Sequence, residues 1–205
     1  MWKDLTEPWK IAFSQAWQAY VEGSIPIGAT LFDENGNCLG QARNGRNLQN
    51  VKNPWIRHAE NTLLWETELP AEQLKSIRSA TLYTTMEPCP MCMGTCVMGN
   101  IRHLRYAARD PYCGAVHFKD TDPYIESKHL DYTLQGGEQE FVQTALQSIH
   151  ELRNGGDGGK VLADFERLLP GAVTAARALQ EKVQEFAQEK APMEAVYDAI
   201  CAYFG

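Results

Sequence analysis

The chain is organised around two short motifs that a single ion would draw together. They are Arg57-His58-Ala59-Glu60 and Met86-Glu87-Pro88-Cys89-Pro90-Met91-Cys92. Zinc takes imidazole nitrogen and thiolate sulfur readily, and a catalytic zinc site uses three protein donors with a fourth position left for water. His58, Cys89 and Cys92 supply three donors, and no second C-x-x-C exists to close a structural site. Two thiolates and a neutral imidazole leave the centre close to neutral, so that a bound water can lose its proton near neutral pH. Glu60, a carboxylate two residues from His58, is placed to shuttle that proton.

Local physics accounts for part of this spacing. Pro88 and Pro90 are tolerated in a first helical turn, which predicts a helix starting near Pro88. Positions i and i+3 share a helix face, so Cys89 and Cys92 can grip one ion, and the positive end of the helix favours thiolates. His58 and Glu60 are harder, because i and i+2 point nearly opposite ways on an ideal helix. They are expected in an irregular first turn. Cys96 falls on the cysteine face one turn on and is read as a packed thiol. Cys38, Cys113, Cys201 and His103 are read as structural.

Composition narrows the classes. The 205 residues are enough for one well-buried α/β core with an appendage, and no apolar run approaches the ~18 residues that span a bilayer. The first residues lack the apolar centre of a secretory signal. Six cysteines, two of them in the metal motif, fit a reducing compartment better than a disulfide framework. A cytoplasmic protein with no membrane partner is expected. The net charge is −7, with 14 Lys/Arg against 18 Asp/Glu in residues 1–153 and 5 against 8 in 154–205. Neither part carries the basic excess that usually accompanies a large nucleic-acid ligand.

Along the chain, Trp9, Phe13, Ala16, Trp17 and Tyr20 recur at helical spacing, with Thr6 as a candidate cap and Pro8 just inside. Residues 25–32 read as a buried strand. Asp33-Glu34-Asn35-Gly36-Asn37 is a turn and the return strand begins at Cys38, giving a hairpin. Gly28 lies in the first strand, where a glycine often marks close backbone approach to a ligand. Residues 43–57 form a long polar loop of the kind that tends to carry function. A helix follows from about His58 to Leu69. Residues 80–85, 101–107 and 130–134 read as strands. The long connection between the last two predicts a crossover and parallel pairing. Residues 138–152 form an amphipathic helix with Phe141, Val142, Ala145, Leu146, Ile149 and Leu152 on one face. The run Asn154-Gly155-Gly156-Asp157-Gly158-Gly159 then breaks the chain. Two further apolar stripes follow, Val173, Ala176, Leu179, Val183, Phe186 and Met193, Val196, Tyr197, Ile200, Cys201, Phe204. The expected organisation is a domain over 1–153 and, over 154–205, a Gly-rich linker and helical extension packed on the core or on a partner subunit.

These motifs, in order and at these spacings, resemble the cytidine/deoxycytidylate deaminase superfamily over roughly residues 8–152. The resemblance rests on Ile25-Pro26-Ile27-Gly28-Ala29, Asn44, His58-Ala59-Glu60, Thr85 to Gly94 and Ala107-Ala108-Arg109-Asp110. The branch it looks most like holds guanine deaminases and bacterial tRNA adenosine deaminases. The resemblance implies a three-layer α/β/α cytidine-deaminase-like fold with a five-stranded mixed sheet. It implies Zn2+ on His58, Cys89 and Cys92, with Glu60 moving protons. It also implies that Asn44 bonds the base, that the Gly28-Ala29 backbone lines the pocket and that Asp110 is a second acidic group. Asn44 precedes a glycine and Asp110 a proline, so each also has a turn-forming reading. Trp55 either stacks on the base or packs against the protein. The implied activity is hydrolytic removal of an exocyclic amino group from a small-molecule nucleobase or nucleoside, a guanine-type or related purine first, by a homodimer. The alternative is a tRNA-specific adenosine deaminase acting at the anticodon wobble position. A non-catalytic zinc-stabilised interaction protein is a third class, against which Glu60 argues.

Overall fold

A computed structural model describes residues 1–49, 51–68, 76–155 and 159–205, the side chain of Ser76 excepted. Its centre is a five-stranded sheet in the order β2-β1-β3-β4-β5. The strands are β1 Gly28–Phe32, β2 Cys38–Arg43, β3 Thr81–Met86, β4 His103–Ala108 and β5 Asp131–Leu134. β1 pairs antiparallel with β2 and β3, while β3/β4 and β4/β5 are parallel. The hairpin and the parallel last pair agree with the sequence reading.

The hairpin turn is held by a local device. Asp33 Oδ1 accepts from the backbone N–H of Asn35 at 2.9 Å and of Asn37 at 2.8 Å, and Gly36 takes φ +83°. A short side-chain acceptor and one left-handed residue are what such a turn asks for.

Helices cover both faces. The first face carries α1 (Glu7–Val21) and α5 (Gly137–Asn154), and their core residues include Trp9, Phe13, Trp17, Phe141, Ala145 and Ile149. Thr6 does occupy the capping position of α1, but its side chain makes no cap hydrogen bond. The second face carries α2 (Ala59–Glu66) and α3 (Pro90–Met98), with Leu63, Met93, Cys96 and Val97 packed on Leu31, Leu82 and Leu104. The thiol of Cys96 is fully buried there. The β4–β5 crossover holds a single-turn helix α4, Pro123–Glu126, capped by the Asp122 carboxylate on the Ile125 N–H.

Beyond the glycine run, of which residues 156–158 lie outside the described residues, come α6 (Lys160–Leu168), α7 (Pro170–Gln188) and α8 (Met193–Cys201). Leu69, the expected end of the second helix, is also outside them, and the described helix stops at Glu66. Val173 belongs to a separate small cluster with Met86, Ala108 and Phe165. Ala176, Leu179, Val183, Val196, Tyr197 and Ile200 share one hydrophobic cluster with α1 and α5. Burial of α5 therefore differs from the amphipathic expectation, because every residue from Glu140 to Glu151 is buried. No described helix is long and apolar enough to cross a membrane.

Candidate active site

The topology gathers four strand ends at one edge of the sheet. β3 and β4 run parallel, with Met86 opposite Ala108, so both leave the sheet together toward Cys89 and Asp110. β1 is antiparallel to β3, so it enters at that edge, and β2 leaves there, with Gly28 opposite Arg43. Residue 44 thus arrives beside residues 25–27. Ligand sites form outside the carboxyl ends of parallel strands for this reason.

Two helix starts complete the edge. His58 is the N-cap of α2 and Cys89 the N-cap of α3, each with extended backbone. An extended residue followed by a helical turn removes the i, i+2 conflict, so His58 and Glu60 converge on one cavity. His58 Nδ1 lies 3.5 Å from Cys89 Sγ and 3.6 Å from Cys92 Sγ, and the three donor atoms sit within 4.8 Å of one another. A tetrahedral zinc with bonds of 2.0–2.3 Å needs donors separated by about 3.6 Å, so the trio fits that ion as it stands. Hydrogen bonding with Cys92 and His58 pulls the Cys89 thiol down to about 4, so one donor is already a thiolate.

Glu60 is 3% exposed, and the Thr84 hydroxyl donates to its Oε1 at 2.9 Å. Burial pushes its carboxyl above the ordinary range, a setting that suits a group that must gain and lose a proton. The cavity of about 590 Å³ in front of it is lined by Asn44, Trp55, His58, Glu60, Cys89, Cys92 and Asp110 among others. That is the size of a small-molecule site.

Asn44 is buried, and its Oδ1 accepts from Ser24 Oγ at 3.0 Å and from the Arg46 N–H at 2.9 Å. With Oδ1 engaged, the amide Nδ2 is left as a donor. Asp110 does hold a turn. Its Oδ1 accepts from the backbone N–H groups of Tyr112 and Cys113, and its Oδ2 from the Cys113 thiol at 3.1 Å. Trp55 is 68% exposed and carries the Arg46 guanidinium 4.3 Å over its ring.

Gly28 and Ala29 depart from the expectation. Neither is among the residues lining the cavity, where Ile25 and Ile27 stand instead. A Cβ on Gly28 would lie 2.1 Å from Ala12 O and 2.5 Å from Ala16 N, so the backbone of α1 by itself requires glycine here. Ala29 is fully buried in the core beneath α2.

Sequence reasoning passed over several lining residues. Glu87 is one. Its Oε2 accepts from the Asp110 N–H at 3.2 Å and its Oε1 from the Val116 N–H at 3.1 Å, which pins the loop after β4. Gly114 gives this carboxylate room, since a Cβ there would sit 2.5 Å from Glu87 Cδ. The position of Glu87 inside the cysteine motif was the available signal. Arg46, Gln147, His150, Glu151, Val161 and Phe165 line the same cavity and gave no such signal.

A sheet edge carrying a His/Cys/Cys trio beside a buried glutamate has the donors for a zinc ion and an acid–base group next to it. Residues 3–108 match the profile described as the cytidine and deoxycytidylate deaminase zinc-binding region, and the chain belongs to that family. It is 36% identical over 105 residues to a tRNA-specific adenosine deaminase of Bacillus subtilis (strain 168), covering 51% of this chain and 62% of that protein. It is 35% identical over 126 residues to a tRNA-specific adenosine deaminase of Haemophilus influenzae, covering 60% of this chain and 70% of that one. Among solved structures, a tRNA:A34 deaminase aligns with TM-score 0.55 at 28% identity, covering 69% of this chain and 99% of that one. The guanine deaminase of Nitrosomonas europaea, at 17% identity and TM-score 0.53 over 72% of this chain and 85% of its own, shares the fold.

Proposed function

We propose that the chain hydrolytically deaminates a free nucleobase or nucleoside, with a guanine-type or related purine ring favoured. The observation that carries this reading is the cavity itself. It is monomer-sized, it contains the metal trio and Glu60, and α5 and α6 close part of its wall.

His58, Cys89 and Cys92 would hold zinc, which when bound would supply the Lewis acidity that activates a water. The chain's own residues do the rest. Glu60, oriented by Thr84, takes a proton from the attacking water and gives it to the ring nitrogen; it then takes the proton of the newly added hydroxyl and gives it to the departing amine as the C–N bond breaks and the carbonyl forms. Asn44 Nδ2 holds an acceptor on the base. Ile25, Ile27 and Phe165 exclude water from its faces. Asp110 shapes the mouth through its turn, and Trp55 gives an aromatic surface at the rim. Ammonia leaves and a carbonyl remains.

A second reading, adenosine deamination in tRNA, is favoured by the similarity to tRNA-specific adenosine deaminases. Ammonia release from guanine, adenine, cytosine, their nucleosides and a tRNA anticodon stem-loop separates the two. Release from bases or nucleosides supports the first reading, and release from the stem-loop alone overturns it.

We also propose that two copies pair through the groove between α2 and α3. This groove, of about 1100 Å³, is lined by Ile56, Leu64, Trp65, Met91 and Met98, and Trp65 is 88% exposed. A sedimentation mass of one chain would remove this assembly.

A further inference from the structure

Ser24 does not line the cavity, but it holds a residue that does, Asn44. The end of α1 sets where Ser24 stands. Gly23 takes φ +84°, its N–H donates to Tyr20 O at 2.9 Å, and the Ser24 N–H donates to Ala19 O at 2.8 Å. A left-handed glycine with this pair of bonds closes a helix in one geometry. Asn44 is fixed from the other side. It follows the last residue of β2, and its N–H donates to Ile27 O at 2.9 Å. Ser24 is fully buried, and Asn44 is 1% exposed.

Each hydrogen in this contact has one place to go. A backbone N–H only donates. The Asn47 N–H reaches Ser24 Oγ at 3.3 Å, so Ser24 accepts there and keeps its own hydrogen for Asn44, 3.0 Å away. The Arg46 N–H reaches the same Asn44 atom at 2.9 Å, so that atom is the amide oxygen. Turning the amide over would set its NH2 against the Arg46 N–H, donor facing donor. Two donors on Oδ1 therefore hold the side chain in one sense. Among the described residues no protein acceptor takes Nδ2.

A freely turning amide offers either a donor or an acceptor, and so reads neither. A locked one reads a single polarity, and a partner group of the wrong kind leaves a buried hydrogen-bonding group unpaired. We propose that Ser24 is a positioning residue for base selection: it locks the Asn44 amide so that the cavity presents an N–H donor and selects a ring by a lone pair on its edge, a ring nitrogen or a carbonyl oxygen. This rests on the reading of Asn44 as a base-binding residue of a deaminase. It goes further by naming what gives that amide its polarity.

The test is a double-mutant cycle on the full zinc-loaded chain, comparing wild type, Ser24→Ala, Asn44→Ala and the pair. The substrate is whichever of guanine, adenine, cytosine, their nucleosides and the anticodon stem-loop the wild-type chain deaminates. Ser24→Ala removes one hydroxyl and should lower kcat/KM about 5-fold, the effect of one neutral hydrogen bond. The loss should fall on KM, with kcat within about 2-fold, because the bond to the base is present before and during the reaction. In the Asn44→Ala background the same change should cost less than about 1.5-fold, since Ser24 acts only through the amide. Asn44→Asp keeps both bonds to Oδ1 and exchanges only the donor. It should cost at least ~10-fold and serves as the second partner in the cycle, so the result does not depend on Asn44→Ala folding. Calorimetric binding of the same substrate to Glu60→Gln, with and without Ser24→Ala, should show the same 5-fold difference without turnover. A Ser24→Ala penalty of equal size in every background shows a purely structural role, and overturns the inference while the deaminase reading stands. So does a KM that neither Ser24→Ala nor Asn44→Asp moves. No ammonia from any member of the panel removes the deaminase reading and this inference with it.

Discussion

Thr84 reaches across from β3 to hold Glu60. Its hydroxyl donates at 2.9 Å to a carboxylate on the first turn of α2, and both residues are buried. The hydrogen bond fixes the direction of the one carboxylate proposed to move protons. Thr84→Val keeps the shape and removes the donor. It is expected to lower kcat about 10-fold, the effect of losing one bond to a charged group, with bound zinc unchanged. Steady-state kinetics beside metal analysis checks this, and an undiminished kcat would remove Thr84 from its positioning role.

Glu60→Gln keeps the volume and removes the titratable group. Turnover should fall at least ~100-fold, the lower bound for losing a general acid–base group, while one zinc per chain stays bound. His58→Ala should behave oppositely at the metal. Two donors remain, and zinc is expected to fall well below one per chain after dialysis. Elemental analysis of both variants separates the roles, and full zinc in His58→Ala would contradict the assignment.

Gly28→Ala tests a position whose reason is steric. The added methyl meets Ala12 O and Ala16 N of α1, neither of which is a flexible side-chain end. The variant should lose about 3 kcal/mol of stability, the upper range for overpacking. For a chain of this size the melting midpoint should fall by roughly 10 °C. Folded material should still bind zinc. An unchanged midpoint would mean that α1 yields freely.

His150 makes stability depend on pH. Its folded value, about 4, lies below its ordinary 6.5. Between those values the unfolded chain takes up a proton that the native one refuses. Stability is therefore full above pH 6.5 and falls as pH drops toward 4, by up to about 3 kcal/mol. Urea midpoints measured across that window should slope downward toward acid in the wild type and flatten in His150→Gln. The groups around it that also carry charge are Arg153 and Glu151. Parallel slopes in the two proteins would remove His150 as the source of the effect.

The metal trio, the hairpin and the parallel strand pair were legible because each rests on chemistry local to a few residues. Cys89 and Cys92 are joined by helix spacing, and Asp33 to Asn37 carry their own turn. What was not legible depended on distant coverage. Gln143, Gln147, His150 and Glu151 sit on the polar side of an amphipathic pattern and read as a solvated face. They are buried because α6 and α7 pack on α5 from beyond the glycine run, and no periodicity within residues 138–152 records that. At Gly28 the close approach is made by the backbone of α1. A strand glycine signals close approach, and the sequence does not say by what.

Because the four strand ends that build the cavity all lie at one edge, the opposite edge is open to engineering. The β1–β2 hairpin tip, Asp33 to Asn37, projects there and lines neither the cavity nor the α2–α3 groove. A fluorophore, an affinity tag or an immobilisation handle inserted at Glu34-Asn35 would report on or tether the protein while leaving its chemistry untouched.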